Sequence, residues 1–119
     1  MRYVDGYVLP VPKKKLAAYR RIAQVAGKVW RKHGALDYKE CVGDDLNPKW
    51  AGIKFPRTVR CRRGETVVFS FIVFRSRAHR DRVNARVMKD PRIANMNPAS
   101  MPFDCKRMAC GGFRVLVDS

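Results

Sequence analysis

Three features of this 119-residue chain predict an α+β fold. Thr66–Phe74, TVVFSFIVF, reads as a strand that is apolar on both sides. Lys13–His33 carries a helical stripe. Weaker strand and helix signals fall around these two in the order β-α-β-(β)-β-α-β. That order is the split βαβ arrangement of ferredoxin-like folds: a βαββαβ protomer whose antiparallel sheet carries two helices on one face. No repeat, low-complexity tract or linker interrupts residues 1–119, so a single domain with a modest core is expected.

The central strand sets the terms for the rest. Val67, Phe69, Phe71 and Val73 point to one side, and Val68, Ser70, Ile72 and Phe74 to the other. Its β-branched and aromatic content, after the turn signal Arg63-Gly64, favours strand over buried helix. Leaving four such side chains in water forfeits roughly 6–12 kcal/mol, at about 1.5–3 kcal/mol each. That is comparable to the stability of a whole domain. Two helices cover one sheet face only. A second copy of the same sheet is the simplest cover for the other, and face-to-face pairing in a two-fold dimer would enclose an interior.

The remaining elements follow in order. Tyr3–Leu9 alternates around Asp5 and Gly6 as a strand, stopped by Pro10 and Pro12. Leu16, Tyr19, Ala23, Ala26, Trp30 and His33 then step by three and four, widened by Ile22 and Val29, and Gly34 supplies the stop. Leu36–Val42 reads as a second strand, with Leu36, Tyr38, Glu40 and Val42 on one side. Between Ile53 and Arg62, apolar residues among arginines suggest an edge strand. Ser76 is placed to cap a second helix running to about Lys89, with Val83, Val87 and Met88 inward, and Asp90-Pro91 ends it. Residues 91–106 read as irregular. Met108–Val117 closes the chain as a strand, and its Gly111-Gly112 pair signals a bulge or another group close to the backbone.

Composition narrows the function classes. Twenty-six Lys and Arg against ten Asp and Glu give +16, a field that draws polyanions and anionic ligands, although a solvated basic surface is the simpler account of it. No apolar run approaches the length of a membrane helix, and MRYVDGYVLPVP lacks a signal-peptide core; a cytoplasmic location and no membrane partner are expected. Cys41, Cys61, Cys105 and Cys110 show no metal-binding spacing, so structural thiols are expected, with Cys105 beside Lys106 and Arg107 the candidate for reactivity. No Walker loop, dinucleotide fingerprint, nucleophile elbow or triad signature is present. No metal or cofactor is expected, and no reaction is revealed.

A run of short matches carries a resemblance. Val4-Asp5-Gly6, His33-Gly34-Ala35-Leu36, Thr66–Ser70, Arg80-Asp81, Asn84, Asp90-Pro91-Arg92, Met101–Asp104, Lys106-Arg107-Met108 and Gly111-Gly112-Phe113 follow one another along nearly the whole chain. In these the chain resembles the YbaA-like family, small bacterial proteins of unknown function in the dimeric α/β-barrel superfamily. The resemblance implies a ferredoxin-like protomer, a homodimer and a dimeric α/β barrel. That superfamily includes cofactor-free monooxygenases, haem-degrading enzymes and effector-binding domains, so membership implies no single activity. The strong positive charge departs from the family pattern.

Candidate site residues fall in three groups. Asp5 and Glu40 are carboxylates within strands, costly unless partnered or at a cavity; together with Tyr7, Phe69 and Phe71 they are the candidates for lining an inter-sheet cavity that binds or transforms a small organic molecule. Hydrogen bonding or ion pairing to nearby Arg or Tyr is the structural alternative. Lys13, Lys14 and Lys15 open the first helix, where cations oppose the dipole, and are the candidates for an anion site. Phe103, Asp104 and Arg107 are the candidates for a loop or lid, with an Asp104–Arg107 ion pair as the structural reading. His33 is expected to cap the first helix and His79 to be solvated. The alternative function is weak, sequence-blind binding of nucleic acid or another polyanion. It would use Lys14, Arg21, Lys28 and Lys32 of the first helix and Arg77, Arg80, Arg82 and Arg86 of the second.

Overall fold

β3, Glu65–Phe74, lies inside a four-stranded antiparallel sheet in the computed structural model, which describes all residues from Met1 to Ser119. Its neighbours are β1, Tyr3–Pro12, and β2, Asp37–Val42; β4, Ala109–Arg114, flanks β1, giving the order β2-β3-β1-β4. Register fixes the two faces. Leu9 pairs with Val68, Tyr7 with Ser70, Asp5 with Ile72 and Tyr3 with Phe74, and these residues share one face. Val42, Glu40 and Tyr38 join that face opposite Val68, Ser70 and Ile72.

The first helix opens with a 3-10 turn, Lys13–Lys15, and continues as α1, Leu16–Lys32. Its end is the predicted one. Gly34 adopts φ +117°, a left-handed conformation that side chains oppose, and the Ala35 N–H reaches back to the Trp30 carbonyl at 3.0 Å. Ser76 caps α3, Arg77–Lys89, by accepting the His79 N–H at 3.1 Å. α1 and α3 cover the same sheet face. The main core holds Tyr3, Val29, Ala35, Ile72, Phe74, Val83 and Val87; a second cluster holds Leu9, Val11, Tyr19 and Val68.

The structure corrects several expectations. β1 runs through both prolines to Pro12, because β4 ends opposite Val8 and leaves no partner on that side to require their missing N–H groups. The expected edge strand between Ile53 and Arg62 is instead a loop carrying one helical turn, α2, Phe55–Thr58. Pro56 presets that turn, and Phe55 packs edge-on against Phe69 at 6.4 Å, on the face that α1 and α3 leave open. Residues 91–106, expected to be irregular, contain the short α4, Pro91–Ala94, capped by Asp90, and two single 3-10 turns extend to Arg107. Met88 points outward and is exposed, while Val83 and Val87 are buried.

His79 is buried, not solvated. It packs against Phe74 at 6.0 Å, and its Nδ1 accepts the Arg75 N–H at 3.0 Å, which puts the ring proton on Nε2. Gly112 explains the paired glycines: a Cβ there would overlap the Tyr3 hydroxyl.

Candidate functional site

The covered face holds nearly all the polar chemistry of the sheet. Asp5 is buried and accepts from Arg80 Nη1 at 2.8 Å and Asn84 Nδ2 at 3.4 Å. Arg80 in turn lies 4.9 Å over the Tyr3 ring, and the Asn84 oxygen accepts from Trp30 Nε1 at 3.0 Å. Burial pushes the Asp5 carboxyl above its ordinary value, against the pull of Arg80 and Asn84. The structural reading of Asp5 holds: it is a partnered core acid that ties β1 to α3.

Glu40 has a different setting. Its two oxygens accept separately, from the Tyr19 hydroxyl at 2.7 Å and the Tyr38 hydroxyl at 2.6 Å. Burial first, and the Glu40 charge second, push both phenols above the ordinary tyrosine range, so they remain donors. The two tyrosines arrive from different elements: Tyr38 stands two residues before Glu40 on β2, and Tyr19 reaches over from α1. Gly27 permits this approach, since a Cβ there would come within 2.9 Å of the Tyr38 ring.

Two spaces meet at this triad. A groove of about 680 Å³ runs between α1 and β2, with Leu16, Tyr19, Ala23, Gly27, Tyr38 and Val42 among its walls. A smaller cavity of about 220 Å³ lies behind it under α1 and the 93–108 segment, and Tyr7, Ser70, Ile93 and Phe103 help to line it. Glu40, Tyr19 and Tyr38 border both. The groove is within the size range of small-molecule sites, and its apolar walls with a few convergent polar groups match their chemistry.

The five predicted cavity residues therefore do not share one chamber. Asp5, Tyr7 and Glu40 face the helices; Phe69 and Phe71 face the open side, 6.1 Å apart. Register and strand alternation force this split: Asp5 and Tyr7 stand opposite Ile72 and Ser70, so Phe71 and Phe69, the alternate positions of β3, point the other way. Tyr7 borders the smaller cavity, where burial, with Asp5 next, pushes its phenol up to about 12.

Phe103, Asp104 and Arg107 form a tied loop. Asp104 accepts the Lys106 N–H at 3.0 Å and Arg107 Nε at 3.1 Å. Arg107 then grips Glu65 with two bonds, at 2.7 and 2.8 Å, and donates to the Arg60 carbonyl at 3.0 Å. Arg60 itself adopts a left-handed φ of 49°. Phe103 packs edge-on to Tyr19 at 5.7 Å, so this loop closes one end of the smaller cavity.

Lys13–Lys15 are exposed at the start of the first helix. His33 bonds Asp90 Oδ2 at 2.9 Å where α1 ends, and Arg92 pairs with the same carboxylate at 2.9 Å. The cysteines are free thiols, and no cluster of three or more His, Cys, Asp or Glu could hold a metal ion. Arg80 leaves the expected basic stripe by turning inward to Asp5. Sequence reasoning missed Tyr19, Arg20 and Tyr38 as candidate site residues, and assigned Lys28, which also lines the groove, only to the basic stripe. The i, i+2 spacing of Tyr38 and Glu40 was visible, but the partner on α1 depends on how the helix lies across the sheet.

A four-stranded antiparallel sheet with a ligand-sized space behind it, and no recognisable catalytic constellation, defines a class of small α+β proteins. Within it, the chain belongs to the family described as protein of unknown function, DUF1428, whose profile matches residues 2–105. It is 42% identical to the uncharacterized protein YbaA of Escherichia coli strain K12 over 118 residues, covering 99% of both chains. The uncharacterized protein YbaA of Shigella flexneri matches to the same 42% over the same coverage. The resemblance read from the short motifs is thus borne out. Among solved structures, the de novo designed protein Foldit4 aligns over 97% of this chain and 99% of its own, with 12% identity and a TM-score of 0.47. No helix is long and apolar enough to cross a membrane.

Proposed function

We propose that this protein is a ferredoxin-like homodimer, a dimeric α/β barrel, that binds a small organic molecule in each protomer. The strand order β2-β3-β1-β4, with helices on one face, supports the protomer assignment. The dimer is supported by the opposite face. Val4, Val8, Phe69, Phe71, Val73 and Phe113 all point there, and Phe69 and Phe113 remain 43% and 63% exposed. That is an apolar surface suited to an isologous pair of sheets.

The observation that carries ligand binding is the groove of about 680 Å³ beside the Glu40–Tyr19–Tyr38 triad. On this reading the ligand lies behind the sheet, between α1 and β2, and not between the paired sheets. Polyanion binding is the weaker reading, since net charge alone supports it and Arg80 has left its stripe.

A neutral apolar fluorophore, N-phenyl-1-naphthylamine, tests the groove. Saturable binding of one probe per chain is expected. Val42→Trp, at an exposed groove position, and Ala23→Phe, on its inner wall, should each weaken it at least tenfold while leaving the circular dichroism unchanged. Equal binding by wild type and both variants overturns the reading. Sedimentation equilibrium tests the pair: a monomer at tens of micromolar overturns the dimer.

A further inference from the structure

The groove is apolar at its floor and basic at its lip. Leu16, Tyr19, Ala23, Tyr38, Val42 and Val68 supply the apolar surface. Along the outer edge of α1, Arg20, Gln24, Lys28 and Arg31 follow at helical spacing and also line it. The one carboxylate in the lining is Glu40, and both its oxygens are already taken by tyrosine hydroxyls. Arg31 donates to the Leu36 carbonyl, which anchors it at one end. The acids that form ion pairs elsewhere in the chain find other partners, Asp37 with Lys39 and Asp5 with Arg80 among them. Arg20 and Lys28 thus face the groove mouth without a carboxylate of their own.

We propose that this groove takes an amphipathic anion: an aliphatic carboxylate whose chain lies along the Leu16–Val42–Val68 floor and whose head group meets Arg20 and Lys28 at the lip. The inference rests on the groove being a ligand site. A cationic ligand finds no free acid there, because Glu40 is already doubly bonded. A neutral ligand leaves the lip cations uncompensated. A nucleic acid backbone would gain from the lip but could not use the apolar floor. The net charge of +16 draws an anion toward the whole surface, and the groove adds the shape that selects its apolar tail.

Displacement of N-phenyl-1-naphthylamine by decanoate and by decanol, matched in chain length, separates class from site. Decanoate is expected to displace the probe at concentrations about three- to tenfold lower than decanol, the range of two partly screened charge contacts. In the double variant Arg20→Gln, Lys28→Gln that gap should close through loss of decanoate affinity alone, with the probe still bound. Raising the salt from low to high should weaken decanoate and leave decanol unchanged. If decanoate and decanol compete equally, or the gap survives in the double variant, the anion proposal is overturned while the groove stands. If Val42→Trp and Ala23→Phe leave probe binding untouched, the site itself falls and the anion with it.

Discussion

The two faces of this sheet are built from alternate residues of the same strands, yet they have opposite polar content. On the covered face, Asp5, Ser70, Glu40 and three tyrosines sit among the apolar side chains, and every fully buried polar side-chain atom has a partner. On the open face, the strands β3, β1 and β4 present Val, Phe, Ala, Pro and Gly, with Glu65 at the start of β3 the one charged exception, held there by Arg107; the other polar residues are confined to edge strand β2, where Lys39 pairs with Asp37. A face that buries polar groups must supply each a partner. A face without them can meet a copy of itself with no hydrogen bond to align. The difference teaches that apolarity alone does not distinguish the two faces; the placement of partnered polar groups does.

The largest test of that contrast is a pair of truncations on one strand. Phe74→Ala empties a fully buried position beside Val83 and Val87 and should cost about 3–5 kcal/mol. Urea unfolding should show that loss at any protein concentration. Phe71→Ala, three residues earlier on the open face, should cost little in dilute protein and progressively more at concentrations where the proposed dimer forms. Equal, concentration-independent losses would abolish the distinction between the faces.

Next in size is the Asp5–Arg80 pair, the polar link that ties the covered face to α3. Arg80→Ala leaves a buried carboxylate without its charged partner and should cost about 2–4 kcal/mol, below the fully buried range because Arg80 keeps some contact with water. Adding Asp5→Leu should recover part of that loss, since the uncompensated charge goes too. A double variant no more stable than Arg80→Ala alone would show that Asp5 contributes through packing, not charge.

These particulars also show what the chain disclosed in advance. The central strand, the Gly34 stop, the Ser76 cap and the close approach at Gly112 were readable because each rests on local chemistry: alternation, left-handed φ, a short hydroxyl side chain, a missing Cβ. The Phe55–Thr58 turn was not readable, because Phe55 settles on Phe69, a partner fourteen positions away on a face no periodicity reveals. Asp5 and Glu40 were rightly marked as costly strand acids. Their different fates depend on which helix crosses each one, α3 with Arg80 or α1 with Tyr19. Phe69 and Phe71 were grouped with them only because apolar alternation does not say which side the helices take.

The smallest effect is in the pH dependence, and it separates two windows. Burial holds the His79 imidazole below its usual value of 6.5, with Arg75, Arg82 and Arg86 adding to the shift. The unfolded chain therefore takes up a proton near pH 6.5 that the folded chain refuses. Stability from neutral His79 is complete above that pH and declines as pH falls below it, by at most about 1.4 kcal/mol per pH unit for one proton. Glu65 acts lower: the Arg107 fork holds its carboxyl down to about 2 from an ordinary 4.5. Its contribution is present above pH 4.5 and drains as pH falls toward 2. Asp5, raised by burial, runs the other way and gives back a little stability just above its ordinary 3.8. Urea midpoints followed from pH 8 to pH 3 should thus fall in two stages. His79→Gln should flatten the upper stage alone, and Glu65→Gln should shrink the lower alone, leaving the part that Asp90, Asp104 and Asp37 supply, since Arg92, Arg107 and Lys39 hold their carboxyls below the ordinary value too. If His79→Gln leaves the slope between pH 6.5 and 5 unchanged, the Arg75–His79 bond does not keep the ring neutral, and the proton on Nε2 is misassigned.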